Sequence, residues 1–286
     1  MSKYRMLRER LAAAALFDLQ AAPLASPQTI EIAHDPMYVR DFLSGTLSPT
    51  AMRRIGFPWS EPLVRRTCAS AGGTLAAASR ALKHGWSGTL AGGTHHAFFA
   101  EGSGYCIFND LVIAIKTLRA EGLIRRAAII DLDVHQGDGT ALMLQGDPLS
   151  YTLSAHGRHN FPFHKQQSTV DIEFDDGTGD AEYLSRVAAA LPAVFAFAPE
   201  IVFYQAGVDA LATDALGRLS LTPEGMAARD TLVFEWILRT GVPFVITLGG
   251  GYSNPIEHTV DAHESTFRLA SAIMASGLPC KFVAPR

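Results

Sequence analysis

Cysteine is almost absent from this chain. Its 286 residues hold three, Cys68, Cys106 and Cys280, with no two at the spacing of a zinc finger or ribbon. That excludes a disulfide scaffold and a thiolate cage, and it fits packing residues kept reduced in a cytoplasmic protein. A surplus of positive charge is also missing: 24 Lys and Arg stand against 28 Asp and Glu, a net charge of -4. Without a basic field to grip phosphates, direct nucleic-acid binding is excluded from the expected functions. No apolar run is long enough to span a bilayer, so no membrane partner is expected. The stretch from Leu11 to Phe17 has charges on both sides and no small-residue cleavage pattern, which makes it part of a helix rather than a signal peptide. Internal repeats, low-complexity tracts and linkers are missing as well.

What is present is ample apolar material for a core, 48% hydrophobic residues against 18% charged, in a length that suits one α/β domain. Hydrophobic periodicity predicts a helix near the start of the chain and others over Pro36–Leu43, Pro62–Lys83, Asn109–Ala120, Thr140–Leu144, Ala181–Phe197, Pro223–Leu238 and Thr259–Ala275. Strands are expected over Thr29–Ala33, Gly88–Ala91, Ala127–Val134, Ser150–Ser154, Ile201–Gln205 and Phe244–Leu248. This alternation implies a mostly parallel sheet with helices on both faces.

Polar chemistry gathers where those strands end. Asp131-Leu132-Asp133-Val134-His135-Gln136-Gly137-Asp138-Gly139 follows the apolar run Ala127-Ala128-Ile129-Ile130, at the edge where open α/β sheets keep their ligands. Three acids and a histidine crowded together are costly unless something positive joins them. Side chains alternate along a strand, so Asp131, Asp133 and His135 are expected on one face, converging on a cation. Carboxylate beside imidazole suits a divalent metal such as zinc.

Three more strands end in Gly92-Gly93-Thr94-His95-His96, Gln205-Ala206-Gly207-Val208-Asp209 and Gly249-Gly250-Gly251-Tyr252. In a parallel sheet all four segments open on one edge, and a shared pocket is the economical reading. Each signal alone has a plainer explanation. Asp-x-Asp-x-His forms hydrogen-bonded turns, tandem histidines are weak, and Tyr105 and Phe161 are by residue type more often core than cavity lining. The glycine run lacks both the P-loop lysine and the Gly-x-Gly-x-x-Gly spacing of nucleotide loops. Their coincidence at strand ends favours function.

Together the segments resemble the histone deacetylase family, zinc-dependent hydrolases of acyl-lysine, over roughly residues 28 to 275. The matching motifs are Gly92–His96, Gly104-Tyr105-Cys106-Ile107-Phe108-Asn109-Asp110, Asp131–Gly139, Ala206–Asp209 and Leu248–Tyr252, in the family's order. Pro58-Trp59-Ser60, Asn160-Phe161-Pro162 and Leu216-Gly217-Arg218-Leu219 look most like the class IV branch. The resemblance implies one catalytic domain over residues 1–286 with a single-domain arginase/deacetylase-like α/β fold. It implies that Asp133, His135 and Asp209 hold Zn2+, with a position open for water and substrate. His96, held by Asp138, would be the general base. His95, paired with Asp131, would act electrostatically, and Tyr252 would donate to the oxyanion. Tyr105 and Phe161 would grip the lysine stem with their flat faces, alongside Gly104, Leu216 and Gly250. Most of the family has phenylalanine where Tyr105 stands. A structural K+ bound by the carbonyls of Asp131, Asp133 and His135 with Ser154 is implied in the same way. The implied partner is an acylated lysine in a protein or peptide, or a small acylated amine.

Rival readings are weaker. Arginase-like ureohydrolases bind two manganese ions through extra bridging carboxylates, but Leu211 stands where one is needed, and Tyr252 has no role there. Polyamine deacetylases carry an acidic gatekeeper where Leu216 falls, which favours acyl-lysine here. The class IV resemblance also admits long fatty acyl groups. A non-catalytic acyl-lysine binder would lack a metal ligand, His96 or Tyr252, and all are present. No residue matches the acidic rim position that many relatives use to hold a substrate backbone. Elsewhere, His34, His84, His258 and His263 are expected at the surface or in caps, and His164 and Lys165 in a solvated turn. Glu173, Asp175, Asp176 and Asp180 are expected on a solvent face, and His156, Arg158 and His159 at the pocket rim. Oligomeric state is not encoded in any of these signals.

Overall fold

Runs such as Ala-Ala-Ile-Ile and Ile-Val-Phe-Tyr are apolar on both sides, which suits strands covered on both faces. The computed structural model, which describes residues 2–276, shows such a sheet. Its six strands are β1 (Trp86–Gly88), β2 (Ala127–Asp131), β3 (Ser150–Gly157), β4 (Val170–Phe174), β5 (Ile201–Gln205) and β6 (Phe244–Thr247). They lie in the order β1-β6-β5-β2-β3-β4, and every neighbouring pair is parallel. Around them run α1 (Ser2–Ala14), α2 (Pro27–Glu31), α3 (Pro36–Ser44), α4 (Pro49–Ile55), α5 (Glu61–His84), α6 (Asp110–Ala120), α7 (Asp138–Met143), α8 (Asp180–Ala196), α9 (Pro223–Thr240) and α10 (Ile256–Ala275).

Alternation along the strands splits the core into two layers. Ala128, Ile130, Val202, Tyr204, Phe244 and Ile246 point to the face covered by α1, α8, α9 and α10. Ala127, Ile129, Ile201, Phe203 and Val245 point to the opposite face, under α2 to α6. The expected single α/β layer order with helices on both faces is therefore what forms.

Several helices start at one local device. Ser26, Asp35, Ser48, Ser60 and Thr222 each accept a backbone amide as N-cap, with proline one or two residues behind. At Ser26-Pro27 this corrects an expectation: Thr29–Ala33 is not a strand but lies in and after α2. Its β-branched residues favour extended backbone only weakly, and the cap with its pre-set proline φ outweighs them. Boundaries move as well: β1 ends at Gly88, where the expected Gly88–Ala91 begins, β2 stops at Asp131, β3 continues to Gly157, β6 ends at Thr247, and α10 starts at Ile256. Two elements, α4 and β4, were not expected. β4 alternates Val170, Ile172 and Phe174 inward with acids outward, and it forms the edge beside β3. Cys68 and Cys106 are free and buried, and Cys280 lies outside the described residues.

Candidate metal centre and active-site pocket

β2 and β5 are neighbours, yet the chain runs outward from β2 through β3 and β4 before it returns to β5. Such a reversal opens a crevice beyond the carboxyl ends of the two strands. Asp131 pairs in register with Gln205, so the segments leaving β2 and β5 start side by side.

Asp133 and His135 after β2 meet Asp209 after β5, one donor atom from each lying within 4.8 Å of the others. His135 Nδ1 is 3.0 Å from both Asp133 Oδ1 and Asp209 Oδ2. The remaining carboxylate oxygens accept backbone amides, Asp133 Oδ2 from Gly250 at 2.6 Å and Asp209 Oδ1 from Val134 at 2.8 Å. Both aspartates are fully buried. Burial and the neighbouring Asp133 push Asp209 up to about 6. Burial opposes protonation of His135, but its bonds to Asp133 and Asp209 outweigh that and hold it up at about 10. Two buried carboxylates and an imidazole thus favour an added positive charge. Two carboxylate oxygens and one imidazole nitrogen are a donor set that fits zinc at a catalytic centre.

Asp131 is not among these donors, contrary to the expectation from strand alternation. β2 ends at Asp131 and the backbone turns, so its Oδ1 accepts the Asp133 amide at 3.1 Å and its Oδ2 faces His95. The candidate trio is completed instead by Asp209, from the segment that follows β5.

Two histidine–aspartate pairs flank the cluster. His95 Nδ1 is 2.7 Å from Asp131 Oδ2, and His96 Nδ1 is 2.6 Å from Asp138 Oδ1. Their rings are 4.1 Å apart, centre to centre. His95 is buried, yet Asp131 and Asp133 raise it to about 9; burial and the adjacent His95 lower His96 to about 4 despite Asp138. Two environments therefore give one imidazole that keeps its proton and one that stays neutral and able to accept one.

The glycine segment after β6 lies against the candidate metal donors. A Cβ at Gly250 would overlap the Asp209 carboxylate. Beneath the segment, Lys3 of α1 donates from Nζ to Gly249 O at 3.2 Å and Gly251 O at 3.1 Å, and sits 4.4 Å from the centre of the Tyr252 ring. Lys3 is only 2% exposed. Burial lowers its ammonium to about 8, against the pull of Asp209 and Asp133. Tyr252 is 43% exposed. Its amide donates to Asp214 Oδ2 at 2.5 Å, and its hydroxyl interacts with that of Tyr4.

One aromatic ring borders the same crevice. Phe161 meets His96 edge to face with ring centres 4.9 Å apart. Gly104 has φ 53°, and a Cβ there would press on His96 Cδ2 at 2.7 Å and Phe161 Cε1 at 2.8 Å, so this close approach needs glycine. Tyr105 is 58% exposed and sits 5.1 Å from the Phe57 ring. Leu216 is also exposed, and its carbonyl accepts Asn160 Nδ2 at 2.9 Å, tying its loop to the Phe161 turn.

Some polar residues sit elsewhere than expected. His34 is buried, and its Nε2 accepts the Asn109 amide at 2.8 Å. His263 is buried beneath the Gly251 segment. Lys165 is not free in a solvated turn: it donates to the carbonyls of Asn160 at 2.6 Å and Pro162 at 2.5 Å, bracing the Phe161 turn. His156 is fully buried against Ser154 Oγ at 2.9 Å rather than on a rim. Arg158 and His159 are exposed and pair with Asp175 and Asp176 of the acidic face. His84, His258 and His164 are at the surface as expected.

Lys3, Asp214 and Arg229 were not anticipated. Lys3 falls on the stripe Lys3-Leu7-Leu11, and Arg229-Asp230 on the stripe of Met226, Val233 and Ile237. A charge in the apolar stripe of a helix was the available signal.

The fold and the site define a parallel α/β protein with a candidate single-metal centre at its switch point. A model of the histone deacetylase domain matches residues 1–267, and the chain belongs to that family. It is 43% identical over 276 residues to an uncharacterized protein of Picosynechococcus sp., covering 94% of this chain and 91% of the relative. Histone deacetylase 2 of Arabidopsis thaliana is 37% identical over 185 residues, 63% of this chain and 48% of that protein. A probable deacetylase of Methanothermobacter thermautotrophicus is 34% identical over 201 residues, 64% of this chain and 58% of its own length. The alignments with these two span about half the length of each relative. The crystal structure of the HDA15 HD domain shares the fold, with TM-score 0.78 at 20% identity over 95% of this chain and 82% of that one.

Proposed function

We propose that the chain is a zinc-dependent hydrolase that removes acetyl or longer acyl groups from the side-chain amide of lysine in proteins or peptides. The observation that carries this reading is the meeting of Asp133, His135 and Asp209 with the His96–Asp138 pair beside Phe161. The family's histone deacetylases and the probable deacetylase among the relatives support it.

Asp133, His135 and Asp209 would hold zinc, which when bound would supply Lewis-acid polarisation of the amide carbonyl and a more acidic water. His96 takes the proton of the attacking water at Nε2, because Asp138 occupies Nδ1, and later returns it to the departing lysine amine. His95, charged through Asp131, adds a fixed positive field behind the reacting carbon. The Tyr252 phenol donates to the carbonyl oxygen as that atom gains charge, once its loop brings it over the cluster. Phe161, Tyr105 and the close approach at Gly104 grip the aliphatic stem and exclude water. Leu216 at the mouth offers no carboxylate to a polyamine, which favours acyl-lysine over acetylpolyamine. Pro58-Trp59-Ser60 and Asn160-Phe161-Pro162 support placement nearest the class IV branch. A K+ ion at the carbonyls of Asp131, Asp133 and His135 with Ser154, which pairs with Asp131 across β2 and β3, belongs to the same reading.

The test is a panel of acetyl-, octanoyl- and myristoyl-lysine peptides run beside acetylpolyamines, with zinc measured on the same sample. Stoichiometric zinc and turnover of at least one peptide class are expected. Faster turnover of every acetylpolyamine, or active protein without zinc, would sink the proposal.

A further inference from the structure

The metal donors sit on two segments that leave different strands, and something must fix one segment against the other. The β2–β5 ladder ends with the bond from Leu132 N to Gln205 O at 3.1 Å. Beyond it the guanidinium of Arg229 on α9 takes over. Its Nη1 donates to Leu132 O at 3.2 Å and to Gly207 O at 2.6 Å, one carbonyl on each segment. Leu132 immediately precedes Asp133, and Gly207 lies two residues before Asp209. The segments touch at this point, since a Cβ on Gly207 would overlap the Asp133 carboxylate.

The far side of the guanidinium is fixed as firmly. Nε and Nη2 donate to Asp230 Oδ1 at 2.9 and 2.7 Å, and Asp230 also accepts the hydroxyls of Tyr204 on β5 and Thr266 on α10. Arg229 is fully buried. A buried charge of this kind costs folding free energy that an apolar pair of equal volume would not, so its retention on an apolar stripe calls for a local role. The planar fork suits such a role, because it reaches two carbonyls and a carboxylate at fixed angles, which a lysine ammonium does not.

We propose that Arg229 is a positioning residue that clamps the Leu132 and Gly207 segments together and thereby sets the affinity of the Asp133–His135–Asp209 centre for zinc. The inference rests on reading that trio as the metal site. Outer residues that orient metal ligands typically change affinity by about tenfold to a hundredfold.

The test titrates metal-free protein with zinc against a chromophoric chelator, and melts the same samples. Arg229→Lys keeps the charge beside Asp230 but loses the fork. It is expected to fold and to bind zinc about tenfold to a hundredfold more weakly. Val233→Ala, one turn along α9 and buried away from the centre, serves as control: it lowers Tm and leaves zinc affinity within about twofold, well inside the range that outer residues command. Should Arg229→Lys fail to fold, the double variant Arg229→Met with Asp230→Leu removes the clamp without leaving a carboxylate orphaned. Unchanged zinc affinity in the folded clamp variant, or an equal loss in Val233→Ala, overturns the proposal. Asp209→Ala in the same titration separates the two claims. If wild-type protein takes up no zinc, or Asp209→Ala keeps it, the metal reading itself has failed.

Discussion

The Tyr252 hydroxyl is one atom whose removal costs the contact with Tyr4 and leaves the other ties of its loop in place. In Tyr252→Phe the loop keeps its amide bond to Asp214, its carbonyl bonds to Lys3 and the ring over the ammonium. Zinc content is expected to stay at wild-type level while kcat falls by about a hundredfold to a thousandfold, as loss of one oxyanion donor does elsewhere. A near-normal kcat would take the phenol out of the mechanism. Asp209→Ala acts differently. It leaves Val134 N without its acceptor and His135 with Asp133 alone. Elemental analysis is expected to find the variant without zinc, and a retained stoichiometric ion would contradict the assignment of Asp209 as a ligand.

Among the elements, α5 makes an unusual demand on sequence. Gly72 lies in its interior, where glycine costs about 1 kcal/mol relative to alanine. Gly72→Ala would ordinarily stabilise a helix, but here the new Cβ overlaps the Pro23 carbonyl and meets Ala25 N at 2.7 Å. Overpacking of that kind costs about 1–3 kcal/mol, so the variant is expected to melt below wild type. A raised Tm would show that the Pro23–Ala25 segment yields freely. The same contrast between local rule and tertiary setting decides what was legible in the sequence. α5 and α9 announce themselves through capped, proline-led starts and long periodic stripes, and β5 through an apolar run bounded by polar residues. α4 spans seven residues, too few to display a stripe, and the acids of β4 mask its inward Ile172 and Phe174. The clustered residues Asp133, His135 and Asp209 stood out through their motifs. The grouping with Asp131 failed because it assumed that β2 continues past Asp131. Lys3 and Arg229 were missed because nothing local says that a charge on a helix will meet a carbonyl from a strand far along the chain.

At the scale of the whole molecule, histidines that fold in the neutral state weaken the protein in acid, and His95, His135 and Asp209, whose folded values are raised, oppose them. Burial lowers His34 to about 4 and His156 to about 4, and places His263 well below its ordinary value. The unfolded chain binds these protons near pH 6.5. Stability from neutral burial is thus complete above that value and is lost as pH falls from about 6.5 toward the folded value of about 4. For His34 alone the loss between pH 7 and 5 is on the order of 2 kcal/mol. The drop in urea midpoint between the two pH values is expected to be smaller in His34→Gln, which cannot titrate, than in wild type. An unchanged drop would mean that His34 is protonated in the folded protein, at the expense of the Asn109 amide bond.

Lys3 belongs to the first turn of α1, which docks on the body through Leu7 and Leu11. Helix ends open far more readily than central strands. The posture of the Gly249–Tyr252 loop is therefore shared between that turn and the amide bonds to Asp133 and Asp214. On warming, loosening of the α1 end is expected to slacken one anchor of this loop while the sheet and its other ties stay intact.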